Sequence, residues 1–317
     1  MGFGDIAENT RNSKESLASE IRGQLLKSNK ENESLKYAKK ILICGENGSG
    51  KSTLALDLLC NDLKEDEMII YVDVDNSGAE VIVNFFEELW YNDNIKHYSP
   101  YTTKVVVRDG KEVDIRDEEG IINKTIAVTS AIKSLIDDGF KIKGVIVDGV
   151  SFLLEYAEAK MRLERNIAPD GGVNMLVWKV RNQFFREFYS PYMGLPIPVI
   201  FVAHDDFIKK PDDDNDLSGV KQRFIDECSI RIETARATHD NVTEYYATIK
   251  KDRSMPINLE KTFTFLSIDI SDEISEKEDL QASDFGEDTS EGIAKAIFRV
   301  VRKIFNKPQD KTKSEKK

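Results

Sequence analysis

"ILICGENGSGKST", Ile41 to Thr53, decides how this 317-residue chain is read. Four apolar residues of strand type run into a glycine-rich turn, and a lysine and a hydroxyl residue then open an apolar helical pattern. Gly45, Gly50, Lys51 and Ser52 have the spacing glycine, four residues, Gly-Lys-Ser/Thr. Glycines at those places let backbone N–H groups turn inward around a β-phosphate. Lys51 reaches β- and γ-oxygens, and the Ser52 hydroxyl can ligate Mg²⁺. The helix that follows adds its positive N-terminal end. The stretch Gly45, Glu46, Asn47, Gly48, Ser49, Gly50, Lys51, Ser52 and Thr53 is therefore expected to bind the phosphates of a nucleotide, with Mg²⁺ beside them.

Outward from this loop, apolar runs alternate with amphipathic stretches from residue 39 to about 270. That alternation predicts an α/β fold with a largely parallel central sheet. The strands expected are "ILIC" (41–44), "MIIYVDV" (68–74), "KGVIVD" (143–148) and "PVIFVA" (198–203), each nearly continuous in apolarity, as strands buried on both faces are. Around Asp109-Gly110, "TKVVVRDGKEVDI" reads as a β-hairpin inserted at 103–116. Later, "CSIRIETA", "EYYATIKK" and "TFTFLSI" alternate polar and apolar residues and are expected as antiparallel edge strands. Flanking the core, residues 1–38 read as an N-terminal helical arm. Residues 271–317 read as an acidic linker, an amphipathic helix "EGIAKAIFRVVRKIF" (291–305) and a disordered basic tail. No repeat of 20 to 50 residues is present, which argues against solenoids and propellers.

Composition narrows the function classes. Apolar residues make up 40% and charged residues 32%, and no run approaches the roughly 20 apolar residues of a spanning helix. The start "MGFGDIAENT" lacks an apolar signal core, and Ile6 stands where a myristoylation signal requires Ser or Thr, so a cytoplasmic protein without membrane attachment is expected. Cys44, Cys60 and Cys228 are scattered and odd in number, and with only His97, His204 and His239 they offer no zinc-ligand spacing. A net charge of −12 disfavours a simple nucleic-acid-coating surface.

Phosphoryl chemistry needs an acid on a second strand, and "GVIVDGVS" supplies Asp148 at a strand end, the expected partner of Ser52 at a metal. Gly149, not a glutamate, follows it, so a water-activating carboxylate has to come from elsewhere. "IIYVDVDNSG" offers Asp73 and Asp75 at the carboxyl end of a parallel strand; two residues apart, both are expected to face the nucleotide, and Asp75 is the candidate for orienting the attacking water. The alternative for this pair is a cap on the next helix.

With these pieces in place, residues 40–270 resemble a RecA-like P-loop ATPase, and more narrowly the RecA/KaiC-type ATP-binding proteins of phages and archaea, including the single-strand annealing type. "RNQFFREFYSPYMGLPIPVIFVAHDD" resembles that family's helix, strand and polar sensor, which implies that His204 reads the γ-phosphate. "YYATIKKDRSMP" resembles its Lys-x-Arg segment, implying that Lys251 and Arg253 reach a neighbouring subunit's nucleotide. "YVDVDNS" resembles the strand carrying the catalytic carboxylate, usually Glu and here Asp75. The resemblance implies a homo-oligomer, ring or filament, acting on single-stranded DNA or with a recombination or replication protein.

Two departures stand out. Asp75 has a shorter reach than Glu. The segment "DDFIKKPDDDNDLSGVKQR" sets six Asp against Lys209, Lys210, Lys221 and Arg223, a poor phosphate contact, which leaves Lys160, Arg162 and Arg165 with nearby Tyr156 as the alternative DNA contact. Other readings are a small-molecule kinase with Arg162 and Arg165 as a lid, and a slowly hydrolysing ATP-dependent scaffold. An ABC-type ATPase fits less well, because "LSGVKQ" follows the Asp148 strand by 70 residues instead of preceding it, and no Asn-Lys-x-Asp supports a GTPase.

Overall fold

In the computed structural model the described residues are 38–108, 110–168, 171–208, 219–239, 242–253 and 259–269. The expected N-terminal arm (except its last residue), the acidic linker, the helix at 291–305 and the basic tail lie outside them, as do Lys209 and Lys210.

Among the described residues ten strands alternate with helices: β1 (Lys40–Gly45), β2 (Met68–Asp73), β3 (Ile95–Tyr98), β4 (Thr103–Arg108), β5 (Lys111–Arg116), β6 (Ile142–Asp148), β7 (Val199–His204), β8 (Ile230–His239), β9 (Val242–Asp252) and β10 (Thr262–Asp269). The helices are α1 (Lys51–Cys60), α2 (Gly78–Phe85), α3 (Glu87–Tyr91), α4 (Glu118–Asp137), α5 (Val150–Glu164), α6 (Met175–Met193) and α7 (Gly219–Glu227), with a 3₁₀ turn at Asp205–Phe207. Eight strands form one sheet in the order β10-β9-β8-β1-β7-β6-β2-β3, and β4 and β5 form the expected separate antiparallel hairpin.

The central strands are parallel and buried on both faces, because their alternate side chains serve two apolar layers. Leu42, Val72, Val147 and Phe201 pack with helices α4 to α7, while Ile43, Tyr71, Ile146 and Val202 pack with α1 and α2. β3 was not among the expected strands. "IKHY" is four residues long with one buried side chain, too short for its period to register. The three later strands form the expected antiparallel run, β8 with β9 and β9 with β10, and β8 also joins that run to the core by lying parallel to β1, Ile41 opposite Ile230 through Gly45 opposite Thr234. The alternation of an edge strand reports its half-burial, not the direction of its partner.

The order of strands sets up the site. β7 separates β1 from β6, with Gly45 level with His204, Val202 with Asp148, and Asp148 with Asp73. The carboxyl ends of four parallel strands thus converge on one crevice, where open α/β sheets bind ligands.

Candidate nucleotide site

Glycines build the loop between β1 and α1. Gly48 and Gly50 have φ of 69° and 76°, a left-handed conformation that glycine adopts without the Cβ penalty. A Cβ on Gly45 would lie 2.3 Å from Thr234 Oγ1, so β8 can approach the loop only because Gly45 has no side chain. Ser49 is fully buried: its hydroxyl donates to the Glu46 carbonyl (2.8 Å) and pairs with Thr234 Oγ1 (2.7 Å). This brace from β8 was not expected from the sequence. Glu46, Asn47 and Gly48 form the exposed rim.

Lys51, the first residue of α1, folds back over the loop. Its Nζ donates to the carbonyls of Gly45 (3.0 Å) and Glu46 (2.7 Å), and burial lowers its pKa while nearby Asp148 opposes the shift. A phosphate entering the loop exchanges two neutral acceptors for charged ones, a stronger class of hydrogen bond. The first turn of α1 carries no acidic residue, which leaves its amide end open to an anion.

Ser52 and Asp148 meet as the sequence suggested. Ser52 Oγ donates to Asp148 Oδ2 at 2.5 Å, and the hydroxyl of Tyr71 donates to that same oxygen. Burial pushes the Asp148 carboxyl up to about 6, with Asp75 adding to the shift and the two hydroxyl donors opposing it. A hydroxyl beside a carboxylate at the mouth of a phosphate loop is an all-oxygen donor set, which fits Mg²⁺: that ion takes one or two protein oxygens and completes its shell with phosphate and water. Ser52 and Asp148 would hold it. Among the described residues, no group of three or more His, Cys, Asp or Glu is placed to hold a metal by itself.

Asp73 and Asp75 lie against each other and both accept from the Ser77 amide, but only Asp75 lines the cleft, which departs from the expectation that both face the nucleotide. β2 ends at Asp73, whose fully buried carboxylate accepts from the amides of Ser77 (3.1 Å) and Gly78 (2.9 Å) and pairs with His97 Nε2 (2.9 Å). Burial disfavours its charge, but hydrogen bonds with His97, the Asp75 carboxyl and the Gly78 amide prevail and hold the Asp73 carboxyl below its ordinary value. Asp73 therefore anchors the start of α2. Asp75 lies beyond the strand and lines the cleft; it accepts from Ser77 N (3.1 Å) and Ser77 Oγ (2.7 Å), and burial, with Asp73 adding, raises its pKa.

His204, at the end of β7, borders the same cleft of about 430 Å³ together with Lys51, Ser52, Asp75 and Asp148. Its amide donates to Ser151 Oγ at 3.0 Å and its ring meets Phe152 edge-on at 5.8 Å. On the other side of the loop a second cleft, about 640 Å³, is lined by Thr53, Val81, Phe85, Tyr245 and Leu266. Phe265 and Tyr245 close against Gly50, whose Cβ would lie 2.9 and 3.2 Å from them.

Lys251 and Arg253 lie elsewhere. Asp252 pairs with Ile230, which is level with Ile41, so both cations stand at the amino end of β1, about 15 Å of strand from the loop. Lys251 Nζ donates to the carbonyls of Ile225 (2.7 Å) and Asp226 (3.0 Å), and Arg253 donates to that of Asp226, so they cap the negative end of α7. The alternative basic group is also engaged. Lys160 sits over the Phe184 ring at 4.4 Å, Arg162 binds Glu158 and two loop carbonyls, and Tyr156 is buried beneath Arg116. Only Arg165 of that trio is exposed and unengaged, so the group does not present the cationic, aromatic-interleaved face expected of a DNA contact.

Among the described residues no helix is long and apolar enough to cross a membrane. No curated protein matches the chain. Among solved structures, a KaiC-like protein from the hyperthermophilic archaeon Pyrococcus horikoshii is similar at 14% identity and a TM-score of 0.40, over 73% of this chain and 86% of that one. Residues 29–168 match the family model described as "ATPase: KaiC", a span that includes the phosphate loop, Asp75 and Asp148. Residues 29–168 are thus similar to a KaiC-type ATPase, and the fold is α/β with a mostly parallel central sheet.

Proposed function

We propose that this chain binds Mg-ATP at the end of β1 and hydrolyses it slowly within a homo-oligomer that acts on single-stranded DNA. The observation that carries the nucleotide part is the convergence of Lys51, Ser52 and Asp148 at one glycine-built loop, with an apolar, aromatic-edged cleft beside it of a size to take a base. In this reading the loop amides and Lys51 bind and orient the β- and γ-phosphates, and Ser52 and Asp148 hold Mg²⁺. When bound, that ion neutralises charge developing on the transferred phosphoryl group.

Asp75 orients the attacking water, and its tie to Ser77 together with its short side chain supports slow turnover. His204 reads the terminal phosphate from the end of β7. Val81, Phe85 and Tyr245 face the base. Lys251 and Arg253, remote from their own loop, serve the neighbouring subunit's nucleotide, as a cation supplied in trans does elsewhere at a rate gain on the order of 10³ to 10⁵. Leaving α7 for that role costs them their helix-capping bonds, which makes the exchange depend on a bound neighbour.

The test is ATP turnover with and without single-stranded DNA, with subunit mass recorded, for the parent protein, Lys51→Ala and Arg253→Ala. The expected result is turnover raised by DNA, abolished by Lys51→Ala, and partly restored when Lys51→Ala and Arg253→Ala subunits are mixed. A monomer whose turnover ignores both DNA and Arg253→Ala would overturn the assembly and leave a small-molecule acceptor to be sought.

A further inference from the structure

Tyr71 stands in the middle of an apolar strand run and has no exposed surface, yet its hydroxyl is directed at a carboxylate. Alternation along β2 turns Tyr71 toward α1 and α2, the face on which Ser52 also emerges. The chain makes room for its ring at one point: a Cβ on Gly78, the first residue of α2, would fall 2.4 Å from Tyr71 Cε1 and 2.5 Å from its hydroxyl oxygen. A buried tyrosine normally finds one acceptor for its O–H, and backbone carbonyls are the usual ones. Here the acceptor is Asp148 Oδ2, the oxygen that also accepts from the Ser52 hydroxyl.

Resting on the Mg-ATP reading above, we infer that Tyr71 is a positioning residue for the metal–nucleotide site: its hydroxyl fixes the rotation of the Asp148 carboxylate. Two donors on Oδ2 lock the plane of the group and leave Oδ1 as the acceptor with open capacity. A carboxylate with a single donor turns about its Cβ–Cγ bond, a broad torsion, and presents neither oxygen in a defined direction. Mg²⁺ demands near-octahedral geometry at short range, so it is sensitive to that loss in a way that phosphate binding by the loop amides and Lys51 is not.

The inference predicts a split between two affinities. Binding of a fluorescent ATP analogue is measured across a Mg²⁺ titration and, separately, in excess EDTA, for the parent, Tyr71→Phe and Gly78→Ala. Tyr71→Phe keeps the ring and deletes only the hydroxyl; Gly78→Ala keeps the hydroxyl but displaces it. Both are expected to raise the Mg²⁺ concentration for half-maximal binding by about tenfold, the scale of one hydrogen bond to a charged group, and to leave metal-free binding within twofold of the parent. Parent-like Mg²⁺ dependence in Tyr71→Phe would overturn the inference. So would equal losses with and without Mg²⁺, which would make Tyr71 a packing residue. A parent protein whose nucleotide binding ignores Mg²⁺, or that binds none, would instead refute the Mg-ATP reading itself.

Discussion

Gly149 is the position at which backbone and site chemistry constrain each other most tightly. It follows Asp148 and precedes α5, with φ of 92° and ψ of 33°. A side chain there costs about 1–2 kcal/mol for the left-handed backbone alone. A Cβ would also lie 3.1 Å from Asp75 N and 3.3 Å from Asp75 Cβ and Val74 Cβ. Two of those three contacts are to the Asp75 residue and its backbone, which cannot swing away as a flexible side chain would, and such overpacking adds about 1 kcal/mol. Gly149→Ala should therefore lower unfolding stability by about 2–3 kcal/mol. In urea this appears as an earlier midpoint at unchanged slope.

The displacement also has a direction, because two of the three nearest contacts are to Asp75, which lines the cleft. Turnover should fall more than Mg-ATP affinity. Gly149→Glu should suffer the same backbone cost and gain no hydrolysis. A loss below about 0.5 kcal/mol for Gly149→Ala, within the range of ordinary surface substitutions, would refute the reasoning.

Two other outcomes follow from burial and charge. Phe224 is fully buried, with the rings of Phe185, Tyr189, Phe201 and Phe207 at 5.8, 5.0, 5.1 and 5.8 Å, so Phe224→Ala should cost about 3–5 kcal/mol in thermal or urea unfolding and loosen α7 with its capping cations. Asp148, raised from 3.8 to about 6, binds its proton more tightly in the native than in the unfolded state. Its burden on stability therefore grows as pH rises from about 4 to 6 and persists above, at up to about 3 kcal/mol. Asp148→Asn removes that burden: it should be more stable than the parent at pH 8 and about equal at pH 4, while losing Mg²⁺-dependent nucleotide binding. A variant less stable than the parent at pH 8 would contradict the sign.

The phosphate loop and the four core strands could be read from the sequence because each is dictated locally: the loop by where glycine is required, the strands by double-faced burial. Asp148 followed from the same logic, since a strand buried up to its last residue has a charged end only where the sheet opens. What lay beyond reach depends on contacts distant in sequence. The Ser49–Thr234 brace spans 185 residues, and neither hydroxyl is distinguishable in sequence from an ordinary surface one. Tyr71 looked like one more apolar strand residue. The engagement of Arg162 was partly visible, because Glu158 precedes it by four residues on a helix and such a pair draws the guanidinium from solvent. Read as a bare cationic group, it suggested a DNA contact that the packing does not support.

The division between Asp73 and Asp75 shows where pattern reasoning stops. On a continuing strand, residues two apart share a face, and both carboxylates would have met the nucleotide. The strand ends at Asp73, and Asn76 takes φ of 62° to turn the chain into α2. Within that turn a side chain points where the local dihedrals send it, so Asp73 turns to the amides of Ser77 and Gly78 and Asp75 to the cleft. The arrangement is also electrostatically economical. Asp73 has the His97 ring and two amide donors beside it, while the Asp75 carboxyl two residues away is raised by burial, with Asp73 adding to the shift. Removing the His97 ring would leave Asp73 buried with less compensation and raise its pKa. The electrostatics of the cleft thus depend on a His97–Asp73 contact outside its lining.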